Sequence, residues 1–101
     1  MMEIQQSDTF ARWMRSLRDA RARARILARI DRIADGNLGD VKPVGQGLSE
    51  MRIHGGPGYR VYFLQRGASL VVLLCGGDKS TKRQDIASAR RIADDWLRAN
   101  P

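Results

Sequence analysis

Residues Leu70 to Cys75 read Leu-Val-Val-Leu-Leu-Cys, six apolar positions with no polar break. Arg66-Gly67-Ala68 precedes them and Gly76-Gly77 follows, and segments of this kind turn the chain. A run that short and that apolar fits a central strand, covered on both faces. The rest of the chain must then supply its neighbours and the layers that cover them. With 101 residues there is material for one domain, residues 1–101, around one modest core.

The neighbours are legible from period-2 alternation. Leu48 to His54 reads as a strand with Met51 and Ile53 on one face and Glu50, Arg52 and His54 on the other. Gly55-Gly56-Pro57-Gly58 is a turn, and Tyr59 to Leu64 is the next strand. In that strand Tyr59, Val61 and Phe63 face one way and Arg60 and Tyr62 the other. Met2 to Gln6 is a further short strand, whereas Asn37 to Gly47, with its glycines and a proline, reads as a loop.

The covering layers are helical. Ser7 is an N-cap candidate, followed by Phe10, Trp13, Met14 and Leu17 at helical spacing. A second helix from Ala20 to Asp35 carries Ile26, Ile30 and Ile33, with Leu27 and Ala34 beside them, and stops at Gly36. The two form a helical hairpin broken near Arg18 to Ala20. Thr81-x-x-Gln84 has the pattern of a capping box for a last helix, whose buried stripe is Ile86, Ala89, Ala93, Trp96 and Leu97. The predicted order is β-α-α-β-β-β-α: an α+β fold with helices on one face of a small, mostly antiparallel sheet. The other face is expected to be shallow and to carry the polar alternates.

Composition narrows the function classes. Hydrophobic residues make up 43% and charged residues 29%, which is globular composition and excludes disordered, collagenous and coiled-coil chains. No apolar run approaches the roughly 20 residues that span a bilayer, and no charged-then-apolar leader opens the chain. A cytoplasmic location, away from membranes, is expected. Cys75 is the one cysteine and His54 the one histidine, so an internal disulfide and a multi-cysteine zinc site are excluded, and no metal or cofactor is expected. Lysine and arginine number 18 against 11 acids, a formal charge of +7, and fifteen of the cations are arginine. That balance favours a nucleic acid, an acidic membrane surface or an acidic protein as partner, or serves only solubility.

The polar alternates carry the candidate chemistry. If the two alternating strands pair as a hairpin, Glu50, Arg52, His54, Arg60 and Tyr62 share one face, with Lys79 folded over it from the glycine-rich exit of the central strand. Phosphodiester cleavage by an RNA 2′-hydroxyl needs cations on the phosphate, a base and an acid, and no metal. Histidine titrates in the range for either proton role, and an aromatic ring such as Tyr62 can stack on a splayed base. Exposed strand residues are commonly charged without any such role, and a Glu50–Arg60 cross-strand pair is the plainer reading. Arg21, Arg25, Arg29 and Arg32 also recur at helical spacing beside the isoleucine stripe. They form either a solvated face or a docking surface for ribosomal RNA or an acidic partner. Trp13 and Trp96 are assigned to packing, and Cys75 to an inert buried position.

The run Glu50-Met-Arg-Ile-His54, then Gly56-Pro-Gly-Tyr-Arg-Val-Tyr-Phe63, Leu73-Leu-Cys-Gly-Gly-Asp-Lys-Ser80 and Asp85-Ile86 resembles the RelE/HigB-like addiction-module killer proteins. These are toxins of type II toxin–antitoxin systems in the RelE/ParE superfamily. Phe10, Trp13, Leu17, Ala22 to Ile30 and Gly39-Asp-Val-Lys-Pro-Val44 extend the likeness over nearly the whole chain. The resemblance implies a microbial ribonuclease-like fold and a ribosome-dependent endonuclease that cuts mRNA in the decoding site. It also implies a cognate antitoxin encoded next to it, often with a helix-turn-helix. It gives Arg60 the scissile phosphate, and Arg52 and Lys79 parts in the chemistry.

The sequence departs from that family in four places. Glu50 stands where a strand lysine is found, and Arg52 is a poor base because guanidinium keeps its proton. Asp85 falls near the position of a catalytic tyrosine, and the histidine that HigB-type toxins keep nearer the C-terminus is absent. His54, oriented by Glu50, is then the first candidate for acid or base. Two other functions compete: a ParE-like toxin that inhibits DNA gyrase without catalysis, and a basic nucleic-acid-binding module without toxicity.

Overall fold

A computed structural model describes residues 1–101. Strand β1 (Glu3–Gln6) leads into helix α1 (Asp8–Ser16) and helix α2 (Ala20–Ala34). Strands β2 (Val41–Gly45), β3 (Leu48–Arg52), β4 (Arg60–Arg66) and β5 (Leu70–Gly77) follow. A short 3₁₀ turn (Lys79–Thr81) then opens helix α3 (Lys82–Ala99). The five strands form one sheet in the order β1-β5-β4-β3-β2. Only the β1–β5 pair is parallel. The apolar run does what its composition requires: β5 lies between β1 and β4, and Val71 to Cys75 are all buried.

Helices cover both faces of the sheet. On one face Phe10, Leu17, Ile26 and Ile33 from α1 and α2 pack against Met51, Ile53, Val61, Phe63, Val71 and Leu73. On the other, Ala89 and Ala93 of α3 pack against Leu48, Tyr62, Leu64, Val72, Leu74 and Cys75. The expectation of helices on one face and a shallow polar face opposite is therefore corrected. The small alanines let α3 lie close over the middle of that face.

Local physics explains the other differences. The segment read as a loop contains β2, an edge strand, where Pro43 is tolerated because a proline without N–H costs nothing on an unpaired edge. Thr81 is the N-cap of α3 but makes no capping bond there. The capping box belongs one turn earlier, to Asp78 and Thr81 around the 3₁₀ turn, and the Thr81 hydroxyl donates to Asp85 Oδ2 at 2.5 Å. Leu27 is 53% and Leu97 40% exposed, so the apolar stripes of α2 and α3 are narrower than their spacing predicts. Ser7 caps α1, accepting from the Phe10 amide at 3.0 Å.

The glycine pair that ends β5 is required by space. A Cβ on Gly76 would lie 2.4 Å from the Trp13 ring, and one on Gly77 would lie 1.8 Å from Asp85 Oδ2. Helices from both faces thus press on the same two residues, from which the chain continues toward Lys79.

Candidate functional site

The β3–β4 hairpin holds the register that alternation predicts, with Glu50 opposite Tyr62 and Arg52 opposite Arg60. These residues share one sheet face, but α3 covers only part of it. At the covered end Glu50 and Tyr62 are both 0% exposed. Past the end of that cover the face opens into a cavity of about 360 Å³. Arg52, Ile53, His54, the Gly55-Gly56-Pro57-Gly58 turn, Arg60 and Lys79 line it. Four of the five residues assigned to the chemistry, Arg52, His54, Arg60 and Lys79, therefore meet around one hollow, and Glu50 does not.

The glycine turn makes the cavity's rim. Gly55 has φ +94° and Gly58 φ +73°, a region that side chains resist. A Cβ on Gly58 would also stand 3.1 Å from Lys79 Cγ, so the lysine stem lies directly on the turn. The Lys79 amide donates to the Pro57 carbonyl at 3.5 Å. Asp78 fixes the base of this arm by accepting from the Ser80 hydroxyl at 2.6 Å and the Ser80 amide at 2.8 Å, which holds its carboxyl below the usual range.

Asp40 is the residue that sequence reasoning missed. Its carboxylate accepts from Arg52 Nη2 at 2.8 Å, and its other oxygen stands 2.6 Å from His54 Nε2. The Arg52 hydrogen bond, more than the His54 one, lowers the Asp40 pKa, and the same contact raises that of Arg52. Arg52 is thus a fixed cation. His54, with its side chain 79% exposed, is oriented by Asp40 and not by Glu50, and Nδ1 is the nitrogen that Asp40 does not engage. The available signal was Asp40's position as the one acid in the Gly39–Val44 segment, immediately before β2.

The arginines of α2 hold this end together. Arg29 Nη1 donates to the Arg52 carbonyl at 2.7 Å, and Nη2 to the Asp40 carbonyl at 3.2 Å. Arg25 Nη1 donates to the His54 carbonyl at 3.3 Å. Partial burial lowers the Arg29 pKa from its high ordinary value. Arg25, Ala28, Arg29 and Arg32 line a second hollow of about 230 Å³ that shares Ile53 and His54 with the first. Two of the three arginines assigned to RNA therefore also anchor backbone, and Arg32 is exposed.

Tyr62 corrects a further expectation. Its ring is buried, so it presents no face for a base to stack on, and its hydroxyl has no hydrogen-bond partner. Burial, with Glu50 nearby, raises the phenol pKa far above its ordinary value. Cys75 is buried as expected, and desolvation pushes its thiol up to about 12. No three of the histidine, cysteine, aspartate and glutamate side chains gather as a metal-binding group. No helix is long and apolar enough to cross a membrane.

The arrangement can hold an anion between cations from β3, β4 and the 3₁₀ turn after β5, with one imidazole beside it. Known proteins match both the sequence and the fold. A chain from the RelBE2 toxin–antitoxin complex of Mycobacterium tuberculosis superposes with a TM-score of 0.51 at 22% identity. That match covers 77% of this chain and 98% of the other, and it supports the α+β fold. An uncharacterized protein of Haemophilus influenzae is 47% identical over 94 residues, 93% of this chain and 95% of its own. The model of the phage-derived Gp49-like family (DUF891) matches residues 12–96, and the chain belongs to that family.

Proposed function

We propose that this protein, acting as a single domain, is the toxin of a type II toxin–antitoxin module and cleaves mRNA on the ribosome. The observation that carries the reading is the convergence of Arg52, His54, Arg60 and Lys79 on one cavity. The likeness in fold to a chain of a toxin–antitoxin complex supports it.

In this reading a phosphodiester enters the cavity between Arg60 and Lys79. His54, held by Asp40, takes the proton of the RNA 2′-hydroxyl through Nδ1. The 2′-oxygen bonds to phosphorus, the bond to the 5′-oxygen breaks, and that oxygen takes a proton from water, so the products are a 2′,3′-cyclic phosphate and a 5′-hydroxyl. Arg60 and Lys79 offset the charge that builds on the phosphoryl oxygens, and Arg52 holds Asp40. The cations of α2, led by Arg32, serve ribosomal RNA. The cognate antitoxin is an acidic partner, encoded beside this gene, that covers the same basic surface.

The test is mapping of mRNA ends by primer extension in a bacterial translation extract, with and without ribosomes. Ribosome-dependent cuts are expected, and Arg60→Ala should reduce them about a hundredfold or more. Absence of cuts from the wild type would overturn the reading and favour a gyrase-directed or purely binding role.

A further inference from the structure

Glu50 has an environment that no part of this mechanism uses. The side chain is fully buried, and neither carboxylate oxygen has a hydrogen-bond partner. Two cations from different elements stand against it. Arg60 Nε of β4 is 3.6 Å from Oε1, and Lys82 Nζ, at the first residue of α3, is 3.4 Å from Oε2. Arg60 Nε is itself buried and has no other partner. Tyr62, directly across the ladder, leaves its hydroxyl unpaired and does not hold the carboxylate.

Burying a carboxylate is costly, and an ion pair recovers that cost only in part, so an apolar residue here would serve stability as well or better. A carboxylate is the better choice if Arg60 must be held in one orientation. The Arg60 side chain is 12% exposed, and its Nη1 reaches the Gly58 carbonyl on the cavity rim at 3.4 Å. Glu50 faces the Nε side of the same guanidinium, from beneath. Lys82, 42% exposed, supplies the second positive charge from the solvent side.

We infer that Glu50 is a positioning residue, a buried counter-charge that fixes the Arg60 guanidinium by its Nε edge and so aims its terminal nitrogens into the cavity. The inference rests on the reading of that cavity as a phosphodiester site. It also brings α3 to the site, because Lys82 at the start of the helix stands against the same carboxylate.

Side-chain NMR of the intact protein tests it. In the wild type the Arg60 Nε–H should exchange with water at least about tenfold more slowly than that of the exposed Arg21, as expected for a donor shielded from water beside a buried counter-charge. In Glu50→Gln, Arg60 exchange should approach that of Arg21. The rate of ribosome-dependent cleavage should fall about tenfold with KM little changed, since misaim costs turnover more than binding. Lys82→Ala should keep the slow Arg60 signal. Equal exchange at Arg60 and Arg21 in the wild type would overturn the inference, and needs no variant to fold. Unchanged exchange and cleavage in Glu50→Gln would overturn it as well. If Arg60→Ala cleaves like the wild type, the phosphodiester reading fails, while the exchange measurement still decides whether Glu50 holds Arg60.

Discussion

The two ends of the β3–β4 face differ in one respect with large consequences. Glu50–Tyr62 and Arg52–Arg60 are pairs in the same ladder, two residues apart, with side chains on the same side. Under α3 the first pair is sealed, and its polar atoms lack hydrogen-bond partners. Beyond α3 the second pair opens to a cavity that the exposed His54 also lines, and Arg52 pairs there with Asp40. Residue type alone does not distinguish the ends, since each has an acid and a cation close by. The position of one helix decides which charges are structural and which can meet a ligand.

Three changes sharpen that contrast or break it. The largest effect is expected from Ala89→Leu, which forces bulk between α3 and the sheet where Ala89 is 0% exposed. Overpacking of this kind costs about 1–3 kcal/mol, and urea unfolding should show it. If the helix is the cover, the variant should also speed exchange at Arg60. A fully stable variant would mean that α3 is loosely seated.

Acid should act next, and at the open end. The Asp40 carboxyl is held below its ordinary value of 3.8. A depressed carboxyl contributes stability that is present above its unfolded value and is lost as pH falls through the folded one. The Arg52 and His54 contacts should therefore persist at pH 3.8 and be lost only as the pH falls through the lower folded value. Carboxyl-carbon NMR of Asp40 should give a midpoint under 3.8, and a midpoint at or above that value would remove the pairing.

The smallest effect belongs to Tyr62→Phe. Its hydroxyl is buried without a partner, so stability should shift by no more than about 1 kcal/mol and RNA affinity should not move. A large loss of RNA binding in a well-folded Phe variant would give the hydroxyl a contact with RNA that its burial excludes.

The ladder was readable because side-chain alternation has a period of two, and Met51, Ile53, Val61 and Phe63 mark the α1/α2 face unambiguously. The all-apolar β5 likewise announced that both faces would be covered. The polar alternates suggested otherwise, because Glu50 and Tyr62 look like solvent residues until the path of α3 is known. That path depends on small residues, Ala89 and Ala93, whose spacing says that the helix packs but not on which face. β2 was hidden because Pro43 and Gly45 carry loop chemistry, and an edge strand can afford both. Asp40 was hidden for a related reason. Its partners, Arg52 and His54, reach it only when β2 has folded back along β3, a contact that no local pattern encodes.

Ser7 has a second bond whose consequence concerns timing. Besides capping α1, its hydroxyl donates to the Leu74 carbonyl at 2.5 Å, across 67 positions of chain, and the neighbouring β1 aligns with the same late strand. During synthesis β1 and Ser7 therefore wait for a strand made much later in the chain. Contacts this distant in sequence close slowly. Lys79, which completes the cavity, is made later than β5 itself. A growing chain thus has no finished cavity until Lys79 has left the ribosome, so a product interrupted before that residue would be released without one.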